Sequence, residues 1–356
     1  MKKKAFFLTL VFSLLAVFSF MSYRNVETAE ALSLTGYEER VDFGAKFEPK
    51  GNRILHGAGQ DQSGNTVTFD NYVNAIGDKY TPSISMGYVA PHHDYETWTS
   101  TYKASIAKYA ADGKCVALQV GVTFNEDENP DRTYCDKIVS GEVDDRLIGL
   151  INQLKSFDVP VYCRPGFEFN GEWNGYTDVE LYKQAFIRFA TLVNRCGAEN
   201  IALVWCMNPD GAEKDFAKYY PGDEYVDWFA FDLFRIDSAF DDITNSFLQM
   251  ANEHRKPVMI SEATPFTYNV SNYKTWSGWF KKYFKFIKEN PVIKATCYIN
   301  WNWAEYPQWS NWGDARMENA ASYVKTMYKS EIKKNIFVHA QTKDSFLNIL
   351  YGTEGV

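Results

Sequence analysis

Val159-Pro160-Val161-Tyr162-Cys163-Arg164 and Ile201-Ala202-Leu203-Val204-Trp205-Cys206 are short, β-rich apolar runs, and residues 179–196 between them carry an amphipathic pattern. A strand, a helix and a second strand in this order make a β-α-β unit, whose strands lie parallel. The alternation continues outward on both sides. Strand-like runs recur at 53–58, 82–88, 115–124, 226–231, 258–261 and 294–300, bringing the total to eight. Helical patterns separate them at 70–76, 102–111, 144–157, 215–219, 241–254 and 276–289, and one at 318–329 follows the eighth. No linker-like composition interrupts the series, so the chain is expected to be α/β, a single (β/α)8 TIM barrel.

An open doubly wound sheet shares this alternation but carries a glycine-rich phosphate loop after its first strand. Here that turn reads Gly57-Ala58-Gly59-Gln60-Asp61 without a third glycine, and no nucleotide site is expected. A length of 356 residues with 46% hydrophobic residues suffices for one large core. Residues 331–356 have weak periodicity, so they either pack on the barrel or fray.

Lys2, Lys3 and Lys4 precede an uncharged, mostly apolar run over 5–21, and Ala29-Glu30-Ala31 offers the small residues that signal peptidase reads. Residues 1–31 are therefore expected to be a secretory signal, and 32–356 the extracellular catalytic domain. The length of the apolar run leaves an uncleaved anchor as the alternative. Cleavage removes four basic and two acidic residues and takes the formal charge from −8 to −10. Such a chain is a poor partner for nucleic acid or an anionic membrane.

Of the six cysteines, Cys115, Cys163, Cys206 and Cys297 lie in or beside apolar runs, as small core residues do. Cys135 and Cys196 lie outside them and leave a bridge open without assigning it. His92-His93-Asp94 places three ligand types in a row. Neighbouring side chains on an extended strand point to opposite faces, and neither HExxH nor CxxC spacing occurs, so no metal is expected. A G-x-S-x-G turn for a serine nucleophile is also missing.

In a barrel of this kind chemistry happens at the C-terminal ends of the strands. Glu168 follows the fourth run in Cys163-Arg164-Pro165-Gly166-Phe167-Glu168-Phe169-Asn170-Gly171-Glu172-Trp173. Glu262 ends the seventh in Val258-Met259-Ile260-Ser261-Glu262. A single glutamate is usually a solvated surface charge. Two that follow apolar strands among aromatics point instead to the carboxyl pair with which retaining glycosidases work.

Aromatics make up 17% of the chain, and flat apolar faces suit sugar rings. Trp173, Tyr176, Trp205, Trp301 and Trp303 fall at or after strand ends. Trp205 and Trp301 are the strongest platforms by position, whereas Trp309 and Trp312 read as loop packing. The amides of Asn170 and Asn208 offer both donor and acceptor to hydroxyls. Arg164, four residues before Glu168, has two readings: it orients a carboxylate, or it is a structural ion pair at the barrel mouth.

Residues 164–176, Val204-Trp205-Cys206-Met207-Asn208-Pro209, Tyr219-Tyr220-Pro221-Gly222-Asp223-Glu224-Tyr225-Val226-Asp227-Trp228, 256–265 and 298–303 resemble glycoside hydrolase family 26, of the clan of retaining (β/α)8 glycosidases. The resemblance implies that Glu168 is the general acid/base and Glu262 the nucleophile, in a cofactor-free monomer acting on a polysaccharide. Mannanases of the family usually have His immediately before the acid/base, where this chain has Phe167. The string Phe167-Glu168-Phe169-Asn170-Gly171-Glu172-Trp173-Asn174-Gly175-Tyr176 looks more like the β-1,3-xylanase-type branch. A tyrosine that often hydrogen-bonds the nucleophile after strand six is also absent, with Leu233 and Phe234 in that region.

Double displacement needs one carboxyl protonated and the other ionised, so their environments must differ. Phe167 and Phe169 give Glu168 the more apolar neighbourhood, which favours its protonated form. The expected activity is endo-cleavage of a β-linked polysaccharide such as β-1,3-xylan, β-mannan or mixed-linkage β-glucan. Two rival readings are a non-catalytic carbohydrate-binding barrel, against which both glutamates argue, and a transglycosylase of exopolysaccharide assembly, which differs only in the acceptor.

Overall fold

The computed structural model describes residues 36–61, 64–126 and 129–352, so the signal expected over 1–31 lies outside the described residues. Eight parallel strands form the barrel: β1 (Ile54–Asp61), β2 (Ile84–Val89), β3 (Ala117–Val122), β4 (Val161–Pro165), β5 (Ile201–Met207), β6 (Trp228–Leu233), β7 (Val258–Ala263) and β8 (Ile293–Ile299). They pair in chain order, and β8 closes on β1 with Leu55 opposite Ala295 and Gly59 opposite Ile299. Every residue of β3 through β8 is buried, because parallel strands are covered on both faces. Each of the eight runs expected from sequence is one of these strands.

The outer layer comprises α1 (Val67–Ile76), α2 (Tyr95–Ala111), α3 (Cys135–Ser140), α4 (Asp144–Lys155), α5 (Val179–Arg195), α6 (Asp242–Glu253), α7 (Lys281–Glu289) and α8 (Ser322–Ile332). In α5 the buried positions Tyr182, Ala185, Phe186, Phe189, Ala190 and Val193 recur at three- and four-residue spacing, which lays one stripe on the barrel. Asp178 caps its start by accepting from Leu181 N at 3.0 Å.

Two of the expected helical patterns are not plain α-helix, while α2 starts seven residues before the expected 102 and α3 falls outside the expected patterns. The pattern at 215–219 is only a 3₁₀ turn, Phe216–Tyr219, because Pro221 follows and cannot continue a helix. The pattern at 276–289 opens with a π-helical turn, Trp276–Phe280, before α7. Within it Gly278 faces Tyr268, whose ring would lie 2.4 Å from a Cβ at that position.

Both chain ends that are described close the N-terminal mouth of the barrel. The tail packs rather than frays: Phe337–Val338 pairs in parallel with β1, and α9 (Lys343–Tyr351) follows it, with Ile349 O accepting from Lys50 N at 2.8 Å. Arg40 donates to Ile287 O, Lys288 O and Asn290 O at 2.8–2.9 Å, satisfying the free carbonyls at the end of α7. Glu48, fully buried, accepts from the backbone N–H groups of Phe43, Gly44 and Ala45. Lys294 pairs with Asp42 and lies 3.9 Å from Glu48.

A hydrogen-bonded chain ties the tail to the barrel wall at the same end. His339 Nε2 meets Ile332 O at 3.0 Å, His339 Nδ1 meets His56 Nδ1 at 3.0 Å, His56 Nε2 meets Tyr72 Oη at 2.7 Å, and Tyr72 Oη meets Tyr328 Oη at 2.7 Å. A carbonyl only accepts, so the neutral chain runs in one direction: His56 donates to His339, Tyr72 to His56, and Tyr328 to Tyr72. All six cysteines are free, including Cys135 and Cys196.

Candidate active site

Beyond β4 the backbone turns sharply, with Gly166 at φ +58° and Glu168 at φ +51°. Gly166 is required because a Cβ there would lie 2.8 Å from the Phe124 ring. Glu168 has no such exemption, and a left-handed conformation costs a non-glycine residue about 1 kcal/mol. Asn174 holds the turn by donating from Nδ2 to the carbonyls of Phe167 and Glu168 at 3.0 and 3.1 Å.

The Glu168 carboxyl thus set is buried and accepts twice, from Asn208 Nδ2 on Oε1 at 2.6 Å and from Trp173 Nε1 on Oε2 at 2.7 Å. Those N–H bonds favour the carboxylate. Burial, followed by the negative charges of Asp232 and Glu262, outweighs them and holds the Glu168 pKa well above the usual carboxylate range.

Glu262 stands on β7 itself, and its Oε1 accepts from Arg164 Nη2 at 2.6 Å. Arg164 Nη1 reaches both oxygens of Asp232, on β6, at 3.0 and 3.1 Å. Arg164, fully buried, is thus an ion-pair partner of both carboxyls. One guanidinium serves two buried carboxyls, and the second is surplus. Burial and the Glu262 charge push the Asp232 pKa up to about 7 against the opposing pull of Arg164. Ser261 Oγ donates to Asp232 Oδ1 at 2.5 Å.

Phe167 and Tyr88 lie on the guanidinium, 4.8 and 5.7 Å from Cζ to ring centre. They meet there because residue 121 is glycine; a Cβ would lie 2.8 Å from the Tyr88 ring and 3.0 Å from Phe167. Tyr88 Oη donates to Gln60 Oε1 at 2.9 Å, and burial followed by the Glu262 charge raises its pKa well above the usual phenol value. A phenol from β2 thus stands beside the carboxylate that lacks a tyrosine after strand six.

Several expected site residues turn out to be scaffold. Trp205, the strongest platform by position, is completely buried, with its ring stacked on Phe169 at 4.4 Å and on Phe247 at 5.6 Å. Strand side chains alternate between faces. Cys206 points to Arg164 in the barrel, so Trp205 points out under the helices. Tyr176 is buried as well, its hydroxyl accepting from Phe124 N at 2.9 Å. Trp303 is buried, donates to Thr264 Oγ1 at 3.0 Å, and packs with Trp309 and Trp312.

Both amides are also committed to the protein. Asn170 Nδ2 donates to Asn208 O and Glu213 O while its Oδ1 accepts from Asn208 N; Asn208 spends its Nδ2 on Glu168 and its Oδ1 on Asp210 N. Trp173 and Trp301, partly exposed, keep ring surface open to solvent, and Trp301 stacks with Tyr306 at 5.8 Å. Sequence reasoning missed Asp232, Tyr88 and Asn174. The available signal for Asp232 was an acid inside the apolar run Trp228–Leu233.

Among the described residues no cluster of His, Cys, Asp or Glu could hold a metal ion, and no helix is long and apolar enough to cross a membrane. Comparison with known proteins bears on the family and the fold. The beta-1,3-xylanase TXYA of a Vibrio species is 29% identical over 267 residues, 66% of this chain and 55% of that protein. This chain thus spans little more than half of that relative. A mannan endo-1,4-beta-mannosidase of Bacillus subtilis is 30% identical over 131 residues, 32% of this chain and 33% of that one. In fold, the structure of GH26C from Muricauda sp. MAR_2010_75 superimposes with a TM-score of 0.60 over 83% of this chain and 88% of that chain, at 15% identity. Residues 127–335 match Glycosyl hydrolase family 26. With that match covering more than half of the chain, and with the barrel closed by eight strands, the chain belongs to glycosyl hydrolase family 26.

Proposed function

We propose that this protein is a glycoside hydrolase that cleaves β-1,3-xylan internally by double displacement, with Glu168 as acid/base and Glu262 as nucleophile. The contrast between the two carboxyls carries the reading. Glu262 sits in an ion pair with Arg164, the arrangement of a carboxylate ready to attack an anomeric carbon. Burial and neighbouring charge raise the Glu168 pKa, which favours the protonated form that assists the leaving oxygen. In the first step the Glu168 proton passes to the glycosidic oxygen as its bond to C1 breaks and Glu262 bonds to C1. In the second, water attacks C1, Glu168 takes the water's proton, and the Glu262 ester opens.

Two observations support xylan over mannan. Phe167 cannot hydrogen-bond, and the resemblance to the β-1,3-xylanase runs over twice as much of the chain as that to the mannosidase. Trp173 and Trp301 supply the sugar-facing aromatic surface. Residues 1–31 direct secretion, and 32–356 form the extracellular enzyme, which acts as a monomer.

Incubation of the purified protein with β-1,3-xylan, β-mannan and mixed-linkage β-glucan tests this. Short β-1,3-xylooligosaccharides with initially retained anomeric configuration by NMR are expected. Faster cleavage of mannan would overturn the sugar assignment, and an inverted product the mechanism.

A further inference from the structure

Trp173 holds an unusual position against the acid/base. Its indole lies directly on the backbone of Gly171, where a Cβ would come within 2.4 Å of the ring, so only glycine lets the ring reach this place. The 3₁₀ turn that carries it, Glu172–Asn174, is fastened to the acid's own turn through Asn174, which donates from its side chain to Phe167 O and Glu168 O. The N–H so aimed meets Glu168 Oε2 at 2.7 Å. The other oxygen, Oε1, faces the fully buried Asn208 amide, which leaves Oε2 beside the partly exposed indole as the proton carrier.

We propose that the Trp173 N–H takes part in proton transfer by binding the charge that forms on Oε2 as Glu168 releases its proton to the leaving oxygen. This rests on Glu168 being the acid. A hydroxyl oxygen of a carboxylic acid is a weak acceptor and a carboxylate oxygen a strong one, so the Trp173 bond tightens as the O–H bond breaks. An interaction that strengthens toward the transition state accelerates the step, whereas one of constant strength does not. An indole suits the task because it donates only: it neither ionises nor accepts the proton in transit. In the second step the same bond loosens as Glu168 removes a proton from water, so the N–H contributes most where the leaving group is poor.

Trp173→Phe retains an aromatic face and deletes the donor. On β-1,3-xylan we expect kcat/KM to fall about 10- to 100-fold with KM within about threefold, while kcat/KM for 2,4-dinitrophenyl β-xylobioside, whose leaving group needs little protonation, falls less than threefold. Deleting a bond to the charged form should also move the alkaline limb of the kcat/KM profile up by about one pH unit. Incorporating 3-benzothienylalanine at 173, which replaces N–H by sulfur in the same ring shape, should reproduce both effects even if phenylalanine disturbs the turn. Equal losses on the two substrates, or a raised KM with the alkaline limb unmoved, would reduce Trp173 to a sugar platform and overturn the proposal. Glu168→Ala separates the two hypotheses. If it leaves the alkaline limb in place, Glu168 is not the acid; if it removes the limb while the Trp173 variants do not shift it, only the role of Trp173 fails.

Discussion

The two mouths of the barrel both bury charge, but on opposite terms. At the N-terminal mouth Glu48 faces three backbone N–H groups with Lys294 nearby, and Arg40 faces three helix-end carbonyls. Each charge there meets partners of opposite polarity. At the C-terminal mouth Asp232 and Glu262 share the guanidinium of Arg164, while Glu168 feels the negative charge of both and takes a left-handed backbone. A buried charge that lacks a matching partner costs stability. The first mouth therefore holds the fold together, and the second concentrates unfavourable charge and backbone strain.

The largest expected effect is at the second mouth. Glu262→Ala should lower turnover at least about 10⁴-fold, because no carboxylate remains to form the glycosyl ester, while the far-UV spectrum stays native. Near-native activity in steady-state assays would sink the nucleophile assignment. Next, Glu168→Ala should lower polysaccharide cleavage by about 10²–10⁴-fold but spare glycosylation by a dinitrophenyl glycoside. Azide should then restore turnover and give a β-glycosyl azide, identified by NMR; an α-azide would break the assignment.

Opposite pH dependence sharpens the comparison. Burial lowers the His339 pKa to about 4, so below 6.5 the unfolded chain takes up a proton that the folded chain refuses. The stability from this group is fully present above pH 6.5 and falls as pH drops toward about 4, by about 3 kcal/mol. Asp232, raised to about 7, works the other way: the folded chain keeps a proton that the unfolded one has released, so stability falls as pH rises from 3.8 to about 7. In urea unfolding at pH 7.5 and 4.5, His339→Gln should move the stability difference toward pH 4.5 relative to the wild type, and Asp232→Asn should move it toward pH 7.5. Parallel curves would contradict the contrast.

The smallest effects come from one substitution made at both mouths. Glu48→Gln should cost about 2–3 kcal/mol because its new N–H₂ group faces backbone donors, and kcat should hold. Glu168→Gln should stay within about 1 kcal/mol of the wild type, because an uncharged amide replaces an acid that burial already favours in its uncharged form. Losses of equal size in denaturant titrations would erase the distinction between the mouths.

The sequence by itself determined the eight-unit cadence and the positions of Glu168 and Glu262. An apolar strand leaves its mark over five to eight adjacent residues, and the strand-end rule then needs no distant information. Only the tertiary structure decided what surrounds those glutamates. Trp205 and Cys206 are neighbours in the chain, yet barrel closure sends one beneath the helices and the other to Arg164, because strand faces acquire an inside only when β8 meets β1. Asn170 and Asn208 looked available for sugar until folding joined them to each other and to Glu168. Asp232, Tyr88 and Asn174 come from three different strands or loops, and their roles arise from contacts made on folding, 68 residues apart in the chain for Asp232 with Arg164. Local pattern fixes which residues reach the mouth of a barrel, and through-space electrostatics fixes what each one does there.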